Sequence, residues 1–392
     1  MSNAGPRRLL QLDILRGVAI GLVVLHHDPF GQAGALQPVS AYWRSAFWIG
    51  VELFFVLSGF LIGGLLFTEM RERGALDIRR FLIRRGFKIW PSYFAYLLAV
   101  LVVLCFHNHL SIETALKRLG PNLLHLQNYL GTCRGHTWSL AVEEHFYVVL
   151  PLFLAVLARW HGGTPRWLAG LPPCALVVST FCIIARVISR EQGLVTPDGI
   201  YHATHLRIDS LFFGVFLAYL SQFHPRTIER VARSRSALWV VGLALLIPAN
   251  VFEPRSYVVQ TVGYTFCYLG FGALLILTIH TPLGVGPLGR AMGSWVGRGL
   301  AAMGAYSYST YLWHIDVSQG LIRALPQDPG GWLPIEVWWF IGTSVYLATA
   351  VGVGYLACVA VEKPLLLLRD RLFPSRARSV ALTEEAEGDQ AR

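Results

Sequence analysis

LQLDILRGVAIGLVVLHHDPF, residues Leu10 to Phe30, places Asp13, Arg16, His26 and His27 in or beside a segment that otherwise reads as a membrane helix. A charge in hydrocarbon is costly unless it snorkels, pairs or faces a wet cavity, so such residues mark functional positions. At about 100° per residue, the steps from Arg16 to His27 close a little over three turns and leave both side chains within roughly 20° of one face. The helical rise separates them by about 16 Å, roughly half the hydrocarbon thickness. The stripe therefore has a cationic end and an imidazole end. His26 falls roughly 80–100° off that stripe and reads as structural.

Outward from this segment, the 392-residue chain is 54% hydrophobic and only 14% charged. That composition excludes both an average soluble domain and a disordered chain, and it describes a polytopic membrane protein. Apolar segments recur near residues 9–28, 46–68, 89–107, 138–158, 171–189, 207–223, 236–251, 258–279, 299–317 and 337–361. The expected fold is an all-α integral membrane protein with about ten transmembrane helices. The sixth and seventh segments are the weakest, one opening on Arg207 and Asp209 and the other short for a span. With the N-terminus inside, inner segments hold roughly 23 of the 33 Lys and Arg residues, so both termini are expected to be cytoplasmic. The net charge of +10 then belongs to cytoplasmic loops, and no nucleic-acid partner is expected.

Residues 1–374 read as one transmembrane domain without a convincing internal repeat, and 375–392 as a disordered cytoplasmic tail. The leader has no small-residue cleavage motif, so the first helix is expected to be retained. The six cysteines lie mostly in apolar runs without metal-ligand spacing and read as small core hydrophobes; no metal is expected.

Sorted by depth, the polar residues fall into two groups. Arg16, Arg84, Arg85 and Lys88 form an inner basic group. His27, Glu52, Glu143, Glu144, Arg207, Asp209, His314 and Asp316 form an outer mixed group. A histidine near a carboxylate suits general base chemistry, and His27 with Glu143 is the candidate catalytic pair. His27 can equally be an interfacial histidine satisfied by water. The arginine cluster is either a positive-inside loop or a seat for an anionic ligand, since Arg forks match phosphates. Trp138 is expected at the outer interface with Glu143 about 7 Å deeper. Glu52, Glu144, Arg207, Asp209 and His314 are candidate substrate contacts. Each has a plainer alternative: Glu144 in an ion pair with a neighbouring helix, Arg207 and Asp209 paired with each other or with Glu52, and His314 in an aromatic belt.

Seven fragments in order, LDILRGVAIGLVVLHH, FWIGVELFFVLSGFLIG, FLIRRGFKIWPSYF, TWSLAVEEHFYVVLPLF, LRIDSLFFGVFLA, YSYSTYLWHI and VEKP, give a resemblance that runs almost end to end. The chain resembles the acyltransferase 3 family of integral membrane acyltransferases, whose bacterial members O-acylate surface polysaccharides, glycans and some secondary metabolites. The family's motif of arginine, ten residues and histidine falls on Arg16 and His27, and the resemblance implies that His27 is essential to acyl transfer. The family's Arg-x-x-Arg falls on Arg85 and Lys88, where lysine keeps the charge without the guanidinium fork. The fourth-helix glutamate is Glu143, and His145 stands where the family has glutamine.

The resemblance implies a multi-pass protein of the bacterial cytoplasmic (inner) membrane. Acyl-CoA, first of all acetyl-CoA, would dock with its phosphates on Arg16, Arg84, Arg85 and Lys88. His27, assisted by Glu143, would act on a hydroxyl of a carbohydrate or lipid-linked glycan at the outer side, as a general base or through an acyl-imidazole. Many relatives carry a hydrolase-like domain after the last helix; without one, the membrane domain is expected to deliver the acyl group itself or to a separate protein. The competing reading is a transporter or exporter that uses the same ionisable groups as a proton relay or substrate path.

Overall fold

In a bilayer every backbone polar group must be satisfied within the protein, and a helix does this segment by segment. The computed structural model describes residues 10–160 and 165–374, and among them the chain is helical with no strand. The tail 375–392 lies outside the described residues, as do the leader arginines Arg7 and Arg8.

The elements that place the site are α1 (Leu10–His26), α2 (Gly50–Arg73), α3 (Ile78–Val102), α4 (Trp138–Trp160), α5 (Leu171–Glu191), the short α6 (Pro197–His202) and α7 (Ile208–Phe223). They are followed by α8 (Arg235–Val251), α9 (Tyr264–Ile279), α10 (Trp295–Ala305), α11 (Ser307–Ala324), α12 (Ile335–Ala357) and α13 (Lys363–Leu372). Local chemistry sets several ends. The left-handed Gly74, φ 70°, closes α2. Asp77 then caps α3, its carboxylate accepting from the Arg80 N–H at 3.0 Å.

Among the described residues six helical segments are long and apolar enough to cross a membrane, or seven if α8 and the helix before it, bent by 87°, count as one. The expected count of ten is not reached on that measure. The first and sixth segments form α1 and α7, of 17 and 16 residues. The ninth is broken at Tyr306 into α10 and α11.

Two crossings hold the centre of the bundle. Where α2 meets α7, a Cβ on Gly59 would stand 1.9 Å from the Leu211 carbonyl oxygen, and one on Gly214 2.3 Å from that of Val56. Where α1 meets α10, a Cβ on Gly17 would stand 2.0 Å from the Leu300 oxygen. These are backbone-to-backbone contacts of the kind that small residues permit in membrane helix pairs. At one end of the bundle the start of α3 is strapped to α13: Arg84 donates to Asp370 at 3.3 Å and to the Phe373 carbonyl, and Arg80 to that of Pro374. Of the cysteines, Cys182, Cys267 and Cys358 are buried, the other three partly so, and none is in a disulfide.

The α2/α7 contact gives a direct test of packing. Gly59→Ala should lower stability by about 1–3 kcal/mol, because backbone cannot move aside. Gly120→Ala, in the helix Ile112–Leu123 with nothing within 4 Å of its Cβ, should leave stability unchanged or slightly raised. Thermal unfolding of both variants in one detergent checks the difference.

Candidate active site

Helix α1 delivers its stripe to two neighbouring cavities. The first, of about 90 Å³, is lined by Arg16 from α1, Ser58 from α2, Arg85 from α3 and Glu143 and Tyr147 from α4, with apolar side chains between them. Glu143 and Tyr147 are one turn apart and share a face, so the Tyr147 hydroxyl donates to Glu143 at 2.7 Å. Ser58 in turn donates to Tyr147 at 2.8 Å. Arg16 and Arg85 form no ion pair with a carboxylate among the described residues; Arg85 lies over the Phe81 ring at 5.7 Å.

The second cavity, of about 180 Å³, is lined by His26, His27, Trp48, His136, Trp138, Tyr201 and His202. His27 closes α1, and its Nδ1 stands 2.9 Å from the Val23 carbonyl oxygen. A carbonyl only accepts, so Nδ1 carries the proton and Nε2 is left with a lone pair, as a general base or nucleophile requires. Further imidazoles crowd this ring: His26 at 4.7 Å and His314 at 5.0 Å between centroids, with His136 5.3 Å beyond His314. His314 and His136 are pinned in the same manner, through Nδ1 to the Tyr311 carbonyl at 2.6 Å and through Nε2 to that of Leu312 at 3.1 Å. Burial holds the His202 imidazole below its ordinary pKa.

Val51 and Tyr311 line both cavities. The Tyr311 hydroxyl donates to the His136 carbonyl at 2.6 Å and accepts from Ser139 at 2.6 Å, so the partition between the cavities is itself hydrogen-bonded.

The structure rearranges several expectations. His27 and Glu143 do not meet: no hydrogen bond joins them, and Glu143 belongs to the cavity of Arg16 and Arg85. The expected inner and outer groups thus mix at Glu143, because its side chain turns toward the arginines. Lys88 pairs with the buried Glu362, which also accepts from Ser309 at 3.1 Å, so the closing VEKP motif holds α3 and not the cavity. Arg84 is engaged by α13. Trp138 is buried against Tyr201 at 4.8 Å, because the cavity, not the lipid, takes its ring. His26 lines the second cavity, whereas His145 is turned away, accepting from or donating to Thr204 at 2.7 Å.

The candidate substrate contacts are likewise mostly paired within the protein. Glu52 binds Arg207 and accepts from Ser210 at 2.8 Å, all three buried. Asp209 pairs with Arg186 at 3.0 Å, both buried. Glu144 accepts from Trp90 at 3.1 Å, and His314 is buried behind His27 and lines neither of the two cavities. Sequence reasoning missed His136, Tyr147, Tyr201, His202 and Tyr311 as site residues. Tyr147 was legible as one turn after Glu143; the others arrive from distant segments. Among the described residues no cluster of three or more His, Cys, Asp or Glu side chains could hold a metal ion.

Comparison with known proteins gives the family context. The family model described as "Acyltransferase domain", of the acyltransferase 3 type, matches residues 9–359. The peptidoglycan O-acetyltransferase OatA of Listeria monocytogenes serovar 1/2a is 25% identical over 325 residues, covering 78% of this chain and 49% of that protein. The O-acetyltransferase OatA of Staphylococcus aureus strain NCTC 8325 is 26% identical over 335 residues, covering 80% of this chain and 51% of the relative. The chain spans about half the length of these curated relatives. No solved structure matches it significantly.

The Lys88–Glu362 pair can be tested apart from any reaction. Lys88→Met leaves a buried carboxylate without its counter-charge and should cost about 3–5 kcal/mol. Adding Glu362→Leu should restore most of that stability, read as the melting temperature in detergent. A single variant as stable as the parent would contradict the pairing.

Proposed function

The chain belongs to the acyltransferase 3 family, and on that premise we propose that it is a membrane-embedded O-acyltransferase, with the donor in the cavity of Arg16 and Arg85 and the acceptor in the cavity of His27. The observation that carries this reading is the wall that the two cavities share at Tyr311, with the imidazole of His27 pinned through Nδ1 on one side and, on the other, two arginines that have no ion-pair partner among the described residues.

The donor is acyl-CoA, acetyl-CoA first. Two arginines that form no ion pair among the described residues favour a phosphorylated donor. Arg16 and Arg85 line the first cavity, so the acyl-pantetheine arm is placed there with the donor phosphates toward the arginines. The arginine end faces the cytoplasm, consistent with the distribution of Lys and Arg, and both termini lie on that side. The acceptor is a carbohydrate hydroxyl presented from the opposite side. Trp48, Trp138 and Tyr201 give its cavity the apolar ring faces that suit the C–H face of a sugar. Since two relatives are named as O-acetyltransferases, one of them of peptidoglycan, a cell-wall glycan is the acceptor class of choice.

In the step proposed, Nε2 of His27 takes the proton of the acceptor hydroxyl as its oxygen attacks the thioester carbonyl carbon. The C–S bond breaks, the ester forms, and the proton passes from His27 to the departing sulfur, giving coenzyme A as the free thiol. Glu143, with Tyr147 and Ser58, lines the donor side and offsets the charge of the two arginines; it does not orient His27.

Release of coenzyme A from acetyl-CoA by the purified protein in detergent, with a muropeptide or oligosaccharide acceptor, tests the reading. His27→Ala should reduce kcat by at least about a hundredfold, and Arg85→Ala should raise the donor KM with a smaller effect on kcat. Turnover without compartments separates an acyltransferase from a transporter. Near-normal turnover in His27→Ala would remove the base from this scheme.

A further inference from the structure

Between α5 and α7 the chain inserts a piece that does not span: α6 and the turn Thr204–Leu206. Buried backbone carbonyls outside a regular helix must find donors. Here they find side chains. The Tyr201 carbonyl accepts from Arg207 at 3.0 Å, that of Leu206 from Arg186 at 3.0 Å, and that of Pro197 from Gln260 at 2.8 Å. Arg207 is fully buried, and its guanidinium lies 3.8 Å from the centre of the Tyr264 ring, 5.0 Å from that of Tyr201 and 5.3 Å from that of Trp138. Its counter-ion, Glu52, comes from α2.

Stability alone does not explain this pair. Taking two charges out of water costs so much that well-packed apolar residues of similar volume are often as stabilising or more so. What apolar residues cannot supply is direction. The guanidinium fork spends one N–H on a carbonyl of the insert and another on a carboxylate of α2, which ties the two together. The insert bears Tyr201 and His202, and both line the His27 cavity.

We propose that Arg207, with Glu52 as its counter-ion, is a positioning residue for the acceptor: it fixes the Tyr201–His202 wall of the His27 cavity, so that acceptor affinity depends on it. The inference rests on the acyltransferase reading and refines its acceptor side. Arg186 and Asp209 brace the other end of the same insert.

The test uses the full chain in detergent. In the double variant Glu52→Leu with Arg207→Met both charges go together, so no uncompensated ion remains. Amide hydrogen exchange over residues 197–206 should accelerate at least about tenfold, with exchange in α1 unchanged. The acceptor KM should rise at least about tenfold while kcat at saturating acceptor stays within about twofold. Unchanged exchange in 197–206, or a fall in kcat as large as the rise in KM, would overturn the proposal. If the double variant does not survive extraction, Arg207→Lys replaces it, keeping the charge beside Glu52 while losing the fork; the same split is expected and the same outcomes overturn it. Should the parent protein release no coenzyme A with any donor and acceptor, the acyltransferase reading fails, while hydrogen exchange still decides whether Arg207 holds the wall.

Discussion

An unpaired ion is costly in hydrocarbon, and this constraint sorts the cationic side chains inside the bundle into two classes. Those that close on a partner hold helices and the insert together: Arg207 with Glu52, Arg186 with Asp209, and Lys88 with Glu362. Those without a carboxylate partner among the described residues, Arg16 and Arg85, border a cavity. The cost of burial is the same for both classes, so the difference lies in what offsets it: a counter-ion in the first, and space for solvent or ligand in the second. Pairing is thus a criterion that separates scaffold from site.

The same economy governs the histidines. Three imidazoles beside the second cavity, His27, His136 and His314, each spend one ring nitrogen on a backbone carbonyl. That bond fixes the tautomer without adding charge, which a carboxylate partner would have done at the cost of burying an anion. A backbone carbonyl at the end of α1 therefore does the orienting, and Glu143 is released to the arginine side. Tyr311 stands between the cavities with its hydroxyl committed to the His136 carbonyl, so the two halves of the site share one wall.

Close helix approach keeps these halves in register. Gly17 lies one residue from Arg16, and the crossing it permits brings α10 against the cationic end of the stripe. Gly59 lies one residue from Ser58, whose hydroxyl reaches Tyr147. In both places a glycine that packs backbone against backbone adjoins a polar residue that faces the cavity, because side chains one residue apart on a helix diverge by about 100°.

The amino-acid sequence by itself determined the class of protein, the helical stripe from Arg16 to His27 with its cationic and imidazole ends, and the family to which the chain belongs. These follow from hydropathy, from a fixed angle and rise per residue, and from motifs in order, none of which needs a contact between distant segments. The pairing of charges was decided only by the tertiary structure. Whether Glu143 lay beside His27 or the arginines, whether Lys88 met Glu362, and whether Arg207 met Glu52 and the Tyr201 carbonyl depended on how helices rotate against one another. So did the arrival of His136, Tyr201, His202 and Tyr311 at the cavities. Helical periodicity fixes which residues share a face, but the partner that a face meets is set by packing among helices far apart in sequence.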